Sequence, residues 1–105
     1  MISDKHTSPI AITCGDPAGV GPEIIEKWAE ANPGEAEKCA FIGPLIWCAG
    51  LPGRIIPVGK PAFEAEPGTP TEAGARVAMA ALEEAAAGCL AGRFSAVVTA
   101  PISKE

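Results

Sequence analysis

Two short segments gather the residue types that can do chemistry. The first is Gly15-Asp16-Pro17-Ala18-Gly19-Val20-Gly21-Pro22-Glu23, and the second is Thr99-Ala100-Pro101-Ile102-Ser103-Lys104. In the first, Gly15, Gly19 and Gly21 can adopt positive φ or admit a ligand against the backbone. The segment leads into a helix, whose free amino-terminal amides favour an anion. Asp16 offers a carboxylate that either accepts hydrogen bonds from a ligand hydroxyl or caps the turn, and capping is the preferred reading. Glu23 suits the positive end of the helix dipole better than it suits catalysis. In the second segment Thr99 and Ser103 carry hydroxyls. Lys104 either holds a phosphate as a point charge or is a solvated terminal lysine.

Neither segment is a standard phosphate loop. Pro22 and Glu23 follow Gly19-Val20-Gly21 and break the G-x-G-x-x-G pattern, and no Gly-Lys-Ser/Thr occurs. Pro22 also removes one amide that a phosphate would use. The first loop is therefore either an anion cradle or a tight turn that only shapes a rim.

Groups that act together must be positioned by rigid elements. Pro9 to Cys14 is a short apolar run closed by Gly15, and it reads as a buried strand. A helix follows, with Pro22 at its start, an apolar stripe of Ile24, Ile25, Trp28 and Ala29, and a Glu23–Lys27 pair on the wet side. Asn32-Pro33-Gly34 ends it. Cys39 to Ile42 reads as a second strand. Arg54 to Val58 reads as a third, where Pro57 implies an edge position. Residues 59–70 are rich in proline and glycine and read as a loop. Thr71 to Ala91 has the clearest helical pattern. Glu72, Arg76, Glu83 and Glu84 share one face, opposite Val77, Ala78, Ala81, Leu82, Ala85 and Cys89. Thr69 or Thr71 caps it and Gly92 stops it. Ala96 to Ala100 reads as a last buried strand. This alternation predicts an α/β fold with a mainly parallel sheet flanked by helices. Ligands of such sheets bind beyond the carboxyl ends of the strands. Both chemical segments leave strand ends, so a parallel sheet puts them along one rim.

The bulk properties narrow the classes. The chain has 105 residues, enough for one small domain, with 48% hydrophobic and 20% charged residues. The net charge of −5 and the absence of any basic cluster argue against nucleic acid and against an acidic membrane surface. The four cysteines show no CxxC spacing, and the only histidine is His6. That composition points to reduced, buried thiols rather than a zinc site. Residues 1–8 form a polar leader, expected to be flexible, and no run approaches the roughly 20 apolar residues of a membrane span. A cytoplasmic location is expected.

The run Thr13-Cys14-Gly15-Asp16-Pro17-Ala18-Gly19-Val20-Gly21-Pro22-Glu23-Ile24-Ile25 resembles the signature near the start of the 4-hydroxythreonine-4-phosphate dehydrogenase family. Two further blocks agree, Thr71-Glu72-Ala73-Gly74 and Val97-Val98-Thr99-Ala100-Pro101-Ile102-Ser103-Lys104-Glu105. Residues 32–70 match only loosely and look short for the family. The resemblance covers nearly the whole chain but about the first third of a family member. It implies that residues 9–105 are part of an isocitrate/isopropylmalate-dehydrogenase-like fold, in two subdomains around a cleft. It also implies a homodimer and a small phosphorylated substrate, 4-hydroxy-L-threonine phosphate, oxidised with NAD or NADP and then decarboxylated on the way to pyridoxal phosphate. A divalent metal (Zn, Mg or Co) would polarise the substrate oxygens, while the nicotinamide takes the hydride.

The family's Gly-His-Thr-Glu block and its metal-binding histidines lie beyond the matched third, and His6 matches none of them. The resemblance therefore carries over only rim residues as substrate or cofactor contacts: Asp16, Gly19 and Gly21, then Thr99 and Lys104. No catalytic or metal-ligating residue is expected within these 105 residues, and the chain alone is expected to be inactive. Three alternatives stay open. One is a sister dehydrogenase of another phosphorylated hydroxy acid. Another is a non-catalytic remnant that binds a partner or completes a dimer. The weakest is a phosphotransacetylase-like enzyme of related fold.

Overall fold

The computed structural model describes residues 8–100. The elements are β1 (Ile10–Thr13), α1 (Gly21–Ala31), α2 (Pro33–Ala36), β2 (Cys39–Gly43), α3 (Leu45–Cys48), β3 (Arg54–Pro57), α4 (Glu72–Leu90) and β4 (Ala96–Thr99). The four strands form one sheet in the order β3-β2-β1-β4, and every pairing is parallel. Ile12 lies in register with Phe41 on one side and with Val98 on the other. The expected α/β architecture is therefore present.

Side chains alternate across a strand, so each strand feeds two cores. On one face Ile12, Cys14 and Phe41 pack with Ile25 and Ala29 of α1 and with Trp47 and Cys48 of α3. On the other face Ala11, Ala40 and Ile42 meet Ala81 and Ala85 of α4, closed off by Phe94. Helix α4 is held at both ends. The Thr71 hydroxyl accepts from the Gly74 amide at 3.0 Å, a side-chain cap of the kind worth about 1 kcal/mol. After Ala91 the chain turns at Gly92, whose φ of +83° favours glycine.

The structure departs from the sequence-based expectations in four places. Two short helices were not anticipated, α2 and α3, each a single turn. Too few residues are involved to show a helical period, and α2 begins at Pro33, the residue expected only to end α1. The apolar stripe of α1 divides: Ile25 and Ala29 are buried, whereas Ile24 is 55% exposed and Trp28 lies at the surface. The sheet accepts only the i, i+4 ridge directly below the helix, and Ile24 and Trp28 form the next ridge round. Strand β4 is not buried, since Val98 is 52% exposed. It is an edge strand, with β1 on one side only. Finally, Gly15 alone in the first loop has positive φ, at +70°, and Gly19 and Gly21 do not. Pro57 sits on the other edge strand, as its missing amide requires.

Candidate functional site

The geometry that matters is the reversal of strand order. From β1 the chain steps through α1 to β2 and on to β3, moving in one direction across the sheet. It then returns over the sheet through α4 and lands on the far side of β1 as β4. The segments leaving β1 and β4 therefore diverge from neighbouring strands. In open parallel sheets this is where a crevice forms at the carboxyl ends and ligands bind. Thr13 and Thr99 are register partners at those ends, and the Ala100 amide donates to the Thr13 carbonyl at 3.3 Å. The two chemical segments do share one rim, as far as Ala100. Lys104, with Pro101 and Ser103, lies outside the described residues.

The first loop is a built turn. Gly15 takes the left-handed conformation directly after Cys14. The Asp16 carboxylate accepts from the Ala18 amide at 2.9 Å, and the Asp16 carbonyl accepts from the Gly19 amide at 2.9 Å. Asp16 is only 8% exposed. Its side chain is thus occupied in shaping the turn, the capping role preferred on sequence grounds. A Cβ on Gly19 would lie 3.4 Å from the Asp16 carbonyl oxygen, an ordinary contact, so the turn itself does not demand glycine there. Gly21 is the buried first residue of α1. The α1 amino terminus has no side-chain cap, which leaves backbone amides facing the rim. Glu23 pairs with Lys27 at 3.4 Å on the exposed side of α1. Thr99 is exposed at the end of β4. Beside it the Thr13 hydroxyl is buried with no hydrogen-bond partner.

The rim has a third contributor that the sequence did not reveal. The loop after β3 folds back, and the Gly68 amide donates to the Ala18 carbonyl at 2.9 Å. A Cβ at Gly74 would sit 3.8 Å from Pro17 and 3.9 Å from Phe63. The first loop, the start of α4 and Phe63 therefore converge. A pocket of about 210 Å³ lies there, lined by Pro17, Pro22, Glu26, Trp47, Phe63 and Glu64 among others. Proline and glycine marked residues 59–70 as loop but carried no signal of where it docks. The Thr71-Glu72-Ala73-Gly74 block was the usable hint, because a glycine inside a helix requires a packing reason.

Among the described residues no group of three or more His, Cys, Asp or Glu is placed to hold a metal ion. The donors of the described residues do not make a metal site, and no metal-dependent step is assigned to them. The rim presents backbone amides, a hydroxyl and a shaped turn. No described helix is long and apolar enough to cross a membrane.

Residues 16–105 match the family described as pyridoxal phosphate biosynthetic protein PdxA. The chain belongs to this family. It is 35% identical to the 4-hydroxythreonine-4-phosphate dehydrogenase of Zymomonas mobilis, over 91% of this chain and 35% of that protein. It is 36% identical to the enzyme of the same name from Thioalkalivibrio sulfidiphilus, over 93% of this chain and 36% of that one. A Salmonella typhimurium structure provisionally named 4-hydroxythreonine-4-phosphate dehydrogenase superposes with a TM-score of 0.72 at 29% identity, covering 93% of this chain and 39% of the other. The chain thus spans about a third of the length of these PdxA relatives.

Proposed function

We propose that this PdxA-family segment forms the amino-terminal part of the substrate and cofactor cleft of a 4-hydroxythreonine-4-phosphate dehydrogenase. The observation that carries the reading is the strand-order reversal between β1 and β4, with the Gly15–Gly21 turn and Thr99 on one rim. In the whole enzyme, bound NAD or NADP would supply the hydride acceptor, and a divalent metal, with ligands outside the described residues, would supply Lewis-acid chemistry. The segment contributes positioning. Asp16 fixes the turn, the α1 amides and Thr99 face the ligand, and Lys104 supplies a cation to the substrate phosphate. The assembled enzyme acts as a homodimer in the cytoplasm, and the 105 residues alone turn nothing over.

The test is a chimaera joining this chain to the remaining two thirds of the Zymomonas mobilis relative. The chimaera is expected to reduce NAD or NADP with 4-hydroxy-L-threonine phosphate and to lose that activity with chelator. The chain alone is expected to show none. A chimaera that is folded and binds nucleotide, yet oxidises no phosphorylated hydroxy acid, would overturn the reading.

A further inference from the structure

A groove of about 510 Å³ opens on the α4 side of the molecule, bounded by Gly59, Lys60, Phe63, Ala73, Arg76 and Val77. That volume lies within the usual range for small-molecule sites, about 300–1,000 Å³. Its shape has a definite origin. Gly59 leaves β3 with φ +78°, and a Cβ there would press on the Val77 side chain at 3.0 Å. The glycine lets the chain pass close over α4. Residues 60–63 then curl away, with the Phe63 amide donating to the Lys60 carbonyl at 2.9 Å. This turn hangs Phe63 over one wall and puts Lys60 on the same groove as Arg76 of α4.

The charges are what make the groove specific. The chain carries −5 overall, yet this groove is flanked by two cations. The ion pairs among the described residues are Glu23–Lys27 and Glu84–Arg93. Lys60 and Arg76 take part in neither, and no carboxylate of the described residues lies within 4.0 Å of them, although Glu64 and Glu72 are near in sequence. An aromatic wall and an alanine floor suit a flat apolar body. A lysine and an arginine at its edge suit a phosphate or carboxylate, which arginine can hold in two-pronged fashion.

We propose that this groove binds a small aromatic anion, with the ring against Phe63 and Val77 and the charged group between Lys60 and Arg76. The groove adjoins the rim pocket through Phe63, which lines both, but its cations are not part of the rim and the proposal does not rest on the dehydrogenase reading. The test is a titration of the full 105-residue chain with phenyl phosphate, followed by backbone amide shifts in NMR. Saturable shifts are expected at Gly59, Lys60, Ala73 and Val77. Inorganic phosphate should shift the same amides more weakly, and phenol should leave them unmoved. A Lys60→Ala/Arg76→Ala variant with an otherwise unchanged spectrum should bind at least about tenfold more weakly, equivalent to about 1.4 kcal/mol. Lys60→Arg/Arg76→Lys should stay close to the parent. Shifts centred on residues 15–21, no saturation, or undiminished binding by the double alanine variant would each overturn the proposal.

Discussion

The two faces of the sheet are filled in opposite ways. Under α1 and α3 the core consists of large side chains, Phe41 and Trp47 with their rings edge to face at 6.3 Å, packed among Cys14, Cys39 and Cys48. Under α4 it consists mostly of small ones, Ala11, Ala40, Ala81 and Ala85, with Ile42 and Phe94 as its large members. A nineteen-residue, alanine-rich helix can lie close against strands because its buried face is mostly Gly and Ala, with Val77. On the first face the eleven-residue α1 and the single-turn α3 cover the sheet, and the rings of Phe41 and Trp47 fill the space beneath them. The lesson is that the two faces should fail differently, one to truncation and the other to enlargement.

Truncation on the first face should have the largest effect. Phe41 is 0% exposed. Phe41→Ala should destabilise the fold by about 3–5 kcal/mol, measured by denaturant unfolding. The control is Val98→Ala on the exposed edge strand of the same face, where a loss below about 1 kcal/mol is expected. Comparable losses at both positions would mean that the edge is covered in solution.

Enlargement should matter on the second face. A Cβ at Gly88 would collide with the Phe94 ring. Elsewhere in a helix, glycine to alanine gains up to about 1 kcal/mol. Here overpacking, typically about 1–3 kcal/mol, should reverse the sign. Gly88→Ala is therefore expected to lose up to about 2 kcal/mol, whereas Gly34→Ala, which meets nothing within 4 Å in helix α2, should be neutral or stabilising. A stabilised Gly88→Ala variant would show that Phe94 moves freely and that the second face is not tightly packed. Thr71→Ala then tests how α4 is held rather than how it packs, with a loss of about 1 kcal/mol expected from the missing cap.

This contrast also explains what could be read from the sequence. Helix α4 was legible from cap to stop because nineteen residues give a full amphipathic period and Thr71 and Gly92 mark its ends. Strands β1 and β2 were legible as apolar runs. Strand β4 looked equally apolar, but Val97 and Val98 are sorted by their place at the sheet edge, which is a non-local fact. The α1 stripe failed for a related reason. Periodicity gave the apolar side of the helix, and only docking decided that Ile25 and Ala29 face the sheet while Ile24 does not. At the candidate site, the shared rim followed from strand polarity alone, and Asp16 as a turn residue followed from its chemistry. The docking of residues 59–70 rests on one backbone hydrogen bond to Ala18 and on the approach of the Phe63 ring to Gly74, which leave no composition signal.

The smallest effect separates the faces by their thiols. Burial pushes Cys14 up to about 12, helped by the neighbouring Cys48 and Asp16, and burial pushes Cys48 up to about 11. Both belong to the first face, whereas Cys89 borders the second and is half-buried. The thiolate is the nucleophile, so iodoacetamide at mildly alkaline pH should modify Cys89 well before Cys14 or Cys48, as followed by peptide mass spectrometry. The linkage sign follows from the same shifts. Above the ordinary thiol value of 9.0 an unfolded chain gives up these protons while the folded one keeps them. The folded state then binds more protons, so stability falls as pH rises from about 9 towards 12. Cys14→Ala should flatten that decline while leaving the profile below pH 8 unchanged. An equal decline in the variant would place its origin outside the first face, and early alkylation of Cys14 would mean that this face opens more readily than its packing implies.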